Sequence, residues 1–148
     1  MMQFTIPGPA VAKQRARRAP AGHWYTPEKT VAYESQVAWE AQAAGVKLES
    51  DRAYGIEVLV YVSRWRSDLD NVFKAIADGL NQLPGFDDRQ ITSLRVEQKG
   101  VRDGGEERVE VTLEDRGPRR KESDERQEAS TGTQGSARPR GRRPTRQP

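Results

Sequence analysis

The sequence has no cysteine and only one histidine among its 148 residues. The lack of cysteine excludes disulfide bonds and thiolate-bound metals. We interpret the one histidine, His23, as incidental and not as a catalytic base. Long apolar runs are also missing, because the best one, residues 56–62, is interrupted by Glu57 and far too short to span a bilayer. The N-terminus lacks the basic flank and apolar stretch of a secretory signal, so we expect a cytoplasmic protein.

Apolar side chains become scarce after Asp115. Between residues 116 and 148 the only ones are Ala129 and Ala137. The formal net charge is −3 over residues 1–115 and +6 over residues 116–148, which together give the +3 of the chain. The sequence therefore predicts a folded domain over 1–115 and a disordered basic tail over 116–148. Such a tail attracts nucleic acid or another polyanion without sequence preference, or it serves only to keep the protein in solution.

The spacing of apolar residues predicts six elements in the order β-α-β-α-β-β. Strands are expected over residues 2–6, 54–62, 91–99 and 107–114, and helices over 26–44 and 69–81. In the first helix we expect Thr26 as the cap, with Val37, Ala41 and Ala44 on the inner face. This order indicates an α/β (α+β) fold, in which one mixed sheet of about four strands carries two packed helices.

A basic stretch separates the first strand from the first helix, and we interpret it as a loop. Four cations in it are candidates for gripping DNA phosphates, a contact that gives position but no sequence preference: Lys13, Arg15, Arg17 and Arg18. The alternative is an ordinary solvated loop. The neighbouring aromatic pair, Trp24 and Tyr25, could stack on an unpaired base, but packing in the core or against the helix start is the favoured interpretation.

Several acidic residues and one lysine lie within about twenty positions. Asp68 and Asp70 stand where a strand gives way to a helix, and Asp87 and Asp88 follow in a turn. Neighbouring carboxylates raise each other's pKa unless a cation lies between them, and carboxylates suit hard cations such as Mg²⁺. Lys74 is one helical turn after Asp70, so both can face the same side. An ammonium there could stabilise a phosphate during its transfer.

The same residues also have a purely structural interpretation. An Asp in a first helical turn is favoured by the helix dipole, and Asp70, Lys74 and Asp78 could form a solvated ladder of ion pairs. We expect Asp78 to be a structural partner of Lys74. Asp87 and Asp88 could be ordinary turn residues. The residues alone leave both interpretations open.

A set of short motifs resembles the signature of the RusA-type Holliday junction resolvases, which are crossover junction endodeoxyribonucleases. The motifs are Asp-Leu-Asp-Asn at 68–71, Lys74, Asp-Gly-Leu at 78–80 and Asp-Asp at 87–88. Residues 6–15 and 25–27 also resemble the opening of that family. The similarity covers about residues 2–114. The sequence differs from the family pattern at two places. Ser67 stands where Pro or Arg is common, and Gly85-Phe86 stands where a bulky residue usually precedes the Asp pair.

The resemblance implies a catalytic set of Asp68, Asp70, Lys74 and Asp88. It implies Mg²⁺, with Mn²⁺ as a substitute, held by the three aspartates. We expect Asp87 to tune the site without binding the metal itself, by contacting the metal ligands or by capping the turn. The resemblance further implies a homodimer that binds four-way DNA junctions and nicks two opposing strands, in DNA recombination and repair. The setting implied is the nucleoid of a bacterium or phage-infected cell.

Three other functions compete with this one. A haloacid-dehalogenase-type phosphatase shares the pattern Asp-x-Asp-x-Val at 68–72, but it needs an apolar strand leading directly into the first Asp, and residues 64–67 intervene. A response-regulator receiver needs a fivefold βα repeat that the chain lacks. A non-catalytic, structure-selective DNA-binding protein of the same fold stays open, and a metal-dependent cleavage assay on a four-way junction would distinguish it.

Overall fold

The structure is a computed structural model that describes residues 1–102 and 104–120. Its strands are β1 (Met2–Pro7), β2 (Arg17–Arg18), β3 (Trp24–Tyr25), β4 (Arg52–Val62), β5 (Ile91–Gly100) and β6 (Arg108–Pro118). Its helices are α1 (Glu28–Ala43) and α2 (Leu69–Leu80), and a single 3₁₀ turn covers Asp88–Gln90. All six predicted elements are present, and their ends shift by a few residues.

One four-stranded mixed sheet organises the fold, in the strand order β1-β6-β4-β5. β4 and β5 are parallel, with α2 as the connection between them, while β6 is antiparallel to both β1 and β4. Parallel neighbours need such a crossover, and it carries the chain from the end of β4 back to the start of β5. The predicted fold class is confirmed.

Buried and partly exposed side chains alternate along β4 and so distinguish the two faces of the sheet. Val58 and Val60 are fully buried and join both helices in one core cluster, whereas Glu57 and Tyr61 on the opposite face remain partly exposed. The helices therefore cover one face, and the other face stays open. This burial holds α2 against the sheet and fixes where its polar residues emerge.

The two helices approach each other closely at Gly79. A Cβ atom added there would lie 2.6 Å from Cβ of Val37 and 2.7 Å from the backbone oxygen of Glu34. Only glycine leaves room for this contact. The Asp-Gly-Leu motif at the end of α2 therefore has a packing reason as well as a family resemblance.

Three details of the N-terminal half differ from the sequence predictions. The predicted loop contains the small hairpin β2–β3. α1 begins at Glu28 with Pro27 at the cap position, and no side chain caps it, so Thr26 lies just outside the helix. Ala44 is exposed, not on the inner face, because it is the last residue before the positive-φ Gly45 ends the helix.

β6 continues beyond Asp115, where the sequence predicts the folded domain to end. Pro118 pairs with Arg52 of β4, and the backbone N–H of Arg119 donates a hydrogen bond to the carbonyl of Asp51 at 2.7 Å. The remainder of the predicted tail, residues 121–148, lies outside the described residues. Within the described part of the chain, neither helix has the length and apolar character needed to cross a membrane.

Candidate active site

Asp68 immediately precedes α2, but its carboxylate accepts no capping hydrogen bond from the helix. Instead, Nε and Nη2 of Arg66 donate to its two oxygens at 2.9 and 3.0 Å. Nη1 of Arg66 also donates to the carbonyl of Ala10 at 2.7 Å, and the backbone of Arg66 exchanges two hydrogen bonds with the side chain of Gln98. The guanidinium lowers the pKa of Asp68. Arg66 thus ties Asp68 to the N-terminal segment and to β5.

Asp70 lies in the first turn of α2 and is much more open. Its carboxylate is 3.8 Å from the ammonium of Lys74, one turn further along. The Asp70 side chain is 72% exposed and that of Lys74 is 59% exposed, so water competes strongly with the pair. Both groups therefore remain available to a ligand.

In the second acidic pair, too, one carboxylate is bound by an arginine and the other lies at a cavity. Asp87 caps the 3₁₀ turn by accepting from the backbone N–H of Arg89 at 2.9 Å, and the Arg89 guanidinium binds the same carboxylate at 2.7 Å. These contacts hold the pKa of Asp87 well below its usual range. Asp88, the next residue, is exposed and lines a cavity together with Lys74.

This cavity of about 640 Å³ lies between α2 and the start of β5. Its polar wall includes two lysines and two aspartates, namely Lys13, Lys74, Asp78 and Asp88. Phe73 and Leu94 provide part of its apolar wall. Opposite charges beside an apolar surface make a site in which an anion can be held and partly desolvated.

Lys13 belongs to this cavity and is paired within it. Its ammonium forms an ion pair with Asp78, and its backbone N–H donates to the carbonyl of Asn71 at 2.9 Å. The Asp78 carboxylate raises the pKa of Lys13, while burial and the charge of Asp78 raise the pKa of Glu34. The predicted pairing of Asp78 with Lys74 is wrong, because Asp78 lies nearer to the incoming N-terminal segment.

A family model described as endodeoxyribonuclease RusA matches residues 7–114. The chain belongs to the RusA endodeoxyribonuclease family. This finding confirms the resemblance carried by the motifs around Asp68, Asp70 and Lys74, and it makes the cavity beside them the candidate active site of a DNA-cleaving enzyme. No curated protein matches the chain significantly.

RusA nucleases generally depend on a divalent metal, so the carboxylates must be compared with what a metal needs. Among residues 1–102 and 104–120, no group of three or more His, Asp or Glu residues is arranged to hold an ion. Two features account for this. Both carboxylate oxygens of Asp68 are bound by Arg66, and neither Asp68 nor Asp70 lines the cavity that Asp88 lines. The donors suit a hard cation, but they are not assembled.

The remaining basic residues of the predicted DNA-binding set lie on or beside an exposed hairpin. Arg15, Arg17 and Arg18 are exposed, and the last two pair across β2–β3 with Tyr25 and Trp24. Trp24 is 69% and Tyr25 is 44% exposed, so the prediction that they pack in the core or against the helix start is wrong. The sequence signal that could have revealed this hairpin is Gly22, which adopts a φ of +94° in the turn.

Proposed function

We propose that this RusA-family nuclease resolves four-way DNA junctions in recombination and repair, by nicking two opposing strands in a Mg²⁺-dependent reaction. One observation carries the proposal. Lys74 and Asp88 line the same cavity, and Lys74 is also paired with the open carboxylate of Asp70. This arrangement places a cation and the Asp88 carboxylate on a space in which a phosphate can lie, and the Asp70 carboxylate lies beside the same cation.

The lysines supply the charge that the reaction needs. Lys74 is exposed and held only loosely by Asp70, so a phosphate can displace that carboxylate. Its ammonium then stabilises the negative charge that develops on the phosphate and on the leaving oxygen. Lys13, paired with Asp78 on the same cavity, contributes a second cation that positions the scissile phosphate.

The metal proposal requires the acidic residues to move together. Asp68, Asp70 and Asp88 would hold Mg²⁺, with Mn²⁺ as a substitute, and the bound ion would orient a water and offset phosphate charge. For this, Arg66 has to release one oxygen of Asp68, and Asp70, which does not line the cavity, has to bind the same ion as Asp88. Calorimetric titration of the DNA-free protein with Mg²⁺ tests the ligand set without an activity readout. Heat of binding should be lost in Asp70→Asn.

The hairpin β2–β3 is proposed as a contact with the junction itself. Arg15, Arg17 and Arg18 would contact phosphates, and the exposed Trp24 would stack on an unpaired base at the crossover. Trp24→Ala should weaken junction binding by about tenfold, since one stacked base contributes roughly 1–3 kcal/mol. It should change binding of unbranched duplex much less.

Trp39 provides the matched control, because it is 65% exposed on α1 and lines neither the hairpin nor the cavity. Trp39→Ala should leave junction binding unchanged in the same anisotropy measurement. Equal losses of affinity in both variants, or equal losses on junction and duplex, would contradict a stacking role for Trp24.

We further propose that the enzyme acts as a homodimer. Each chain carries one candidate site, whereas symmetric resolution needs two nicks, and a twofold dimer presents two copies of the site to a roughly twofold substrate. Sedimentation at micromolar concentration should show a dimer. A monomer that still cuts both strands in concert would contradict this.

The whole proposal is tested by incubating a labelled four-way junction with the full chain in Mg²⁺ and, separately, in a chelator. We expect nicks at symmetric positions on two opposing strands in Mg²⁺ and binding without cleavage in the chelator. Binding without cleavage under both conditions would support the alternative, a non-catalytic structure-selective DNA-binding protein. Cleavage of unbranched duplex at the same rate would exclude junction selectivity.

A further inference from the structure

A second cavity, of about 990 Å³, lies beside the candidate active site. The two cavities share Arg89 and Thr92 in their walls, so they adjoin each other. Four arginines line the second cavity: Arg89, Arg116, Arg119 and Arg120. Among the described residues, Asp51 is the only acidic side chain that lines it. The lining therefore carries more positive than negative side chains, although residues 1–115 as a whole are mildly acidic.

Much of the cationic wall is formed by the segment that follows Asp115. β6 stays paired with β4 as far as Pro118, and the backbone N–H of Arg119 binds the carbonyl of Asp51. The backbone N–H of Gly117 donates to the Asp115 carboxylate at 2.8 Å. The main-chain pairing with β4 and the bond from Arg119 to Asp51 thus hold the segment beside the start of β4. The side chains of Arg119 and Arg120 can be changed without removing those bonds.

The arginines are placed on the wall by different elements. Arg116 lies on β6 and forms an ion pair with Glu114 at 2.9 Å, while Arg89 lies on the 3₁₀ turn and binds Asp87. Arg119 and Arg120 follow the end of β6, and the first is half-buried while the second is exposed. Guanidinium groups present planar sets of donors that match phosphate oxygens, and they are less strongly hydrated than ammonium groups. The chemistry of this wall suits a polyanion of phosphodiesters.

We propose that this second cavity, called here the arginine channel, binds the phosphate backbone of the DNA arm leading away from the bond that is cut. The inference rests on the proposed function. A strand whose phosphate lies beside Lys74 and Asp88 can continue past the shared residues Arg89 and Thr92 into the channel. Contacts with phosphates fix the direction of the arm but carry no sequence information.

The first test compares two double variants of the full chain in a chelator, so that binding is measured without cleavage. Arg119→Gln/Arg120→Gln removes two charges from the channel. Arg95→Gln/Lys99→Gln removes two charges from β5, at positions in register with Glu57 and Tyr61 on the open face of the sheet. The channel variant should bind a four-way junction about tenfold more weakly, and the β5 variant should bind as the wild type does. The log–log salt slope of the channel variant should fall by about 1.8, because two fewer phosphates are neutralised.

The second test locates the contact on the DNA. Shortening the arm that extends from the cleavage position should weaken binding by the wild type and by the β5 control. It should have little further effect on the channel variant, because the contact is already gone. Equal losses of affinity in the two double variants would overturn the proposal. So would an arm-length effect that is the same with and without the channel arginines.

Small anions provide the remaining discrimination. One contrary outcome is that millimolar inorganic phosphate or a mononucleotide displaces the junction from the wild type but not from the channel variant, while arm length has no effect on binding. In that case the channel would be a site for small anions, and the proposal would be wrong. The binding assays need no catalysis. If the wild type bound the junction through the channel but never cleaved it, only the proposed function would be overturned. If the enzyme cleaved the junction and substitution of Arg119 and Arg120 did not change its binding, only this inference would be overturned.

Discussion

Asp68 and Asp87 both bind an arginine two residues away, but the two arginines are held very differently. Arg66 is 25% exposed and also bonds to Ala10, whereas the Arg89 side chain is 76% exposed. Asp68 is therefore tied into the framework, and Asp87 is held by a surface contact and by the turn that it caps. The difference shows that two similar Asp–Arg contacts can be anchored to different degrees: the contact of Asp68 is tied to the N-terminal segment, and that of Asp87 lies on the surface.

The other member of each pair has no such bond to a neighbouring arginine in the contacts described above. Asp70 is held by a loose, exposed pair with Lys74, and Asp88 lines the cavity that Lys74 also lines. A carboxylate oxygen that still faces water or a cavity retains acceptor capacity for a ligand. Each pair thus combines a positioned carboxylate with an available one: Asp70 is paired with Lys74, and Asp88 shares a cavity with it.

The largest expected effect comes from removing the charge of the first pair. Asp68→Asn and Asp70→Asn should each reduce junction cleavage by on the order of 10²–10³-fold, the usual consequence of losing one group that stabilises a transition state. Junction binding should be intact or slightly tighter, because a negative charge near phosphate is removed. The measurement is single-turnover cleavage at saturating protein together with anisotropy. Cleavage by Asp70→Asn near the wild-type rate would contradict the assignment.

A smaller effect should separate the two arginines. Arg66→Gln loses charged hydrogen bonds to Asp68 and to the carbonyl of Ala10 in a half-buried setting, so the free energy of unfolding should fall by about 1–2 kcal/mol. Arg89→Gln should change it by at most about 0.5 kcal/mol, since exposed ion pairs contribute little. Urea denaturation of both variants provides the comparison. Similar losses for the two would mean that the arginines are not held differently after all.

Much of the fold can be predicted because it depends on local periodicity. Alternation along β4 and the three-and-four spacing in α2 reflect burial on one face, and burial dominates the choice of structure there. The end of the domain is harder to predict, because residues 116–118 are held by pairing with β4 and not by apolar side chains of their own. Composition cannot report a hydrogen-bonded partner that lies far away in the sequence.

The residues of the candidate site are visible in the sequence, but their partners are not. The acidic motifs can be recognised directly, whereas the bond from Arg66 to Ala10 and the pairing of Lys13 with Asp78 arise only when distant segments meet. The prediction for Trp24 and Tyr25 is wrong for a related reason. Large aromatics usually pack inside, but a hairpin of two-residue strands has no second face to bury them.

The central claim is that Lys74 and the available carboxylates form the catalytic centre, with Asp88 as the residue of its pair that takes part directly. The most direct measurement compares junction cleavage by Asp87→Asn and Asp88→Asn at saturating Mg²⁺. Asp87→Asn should lose activity only in part, because Asp87 caps the turn, whereas Asp88→Asn should be nearly inactive while still binding the junction. The reverse ranking would contradict the account and would place Asp87 in the catalytic centre.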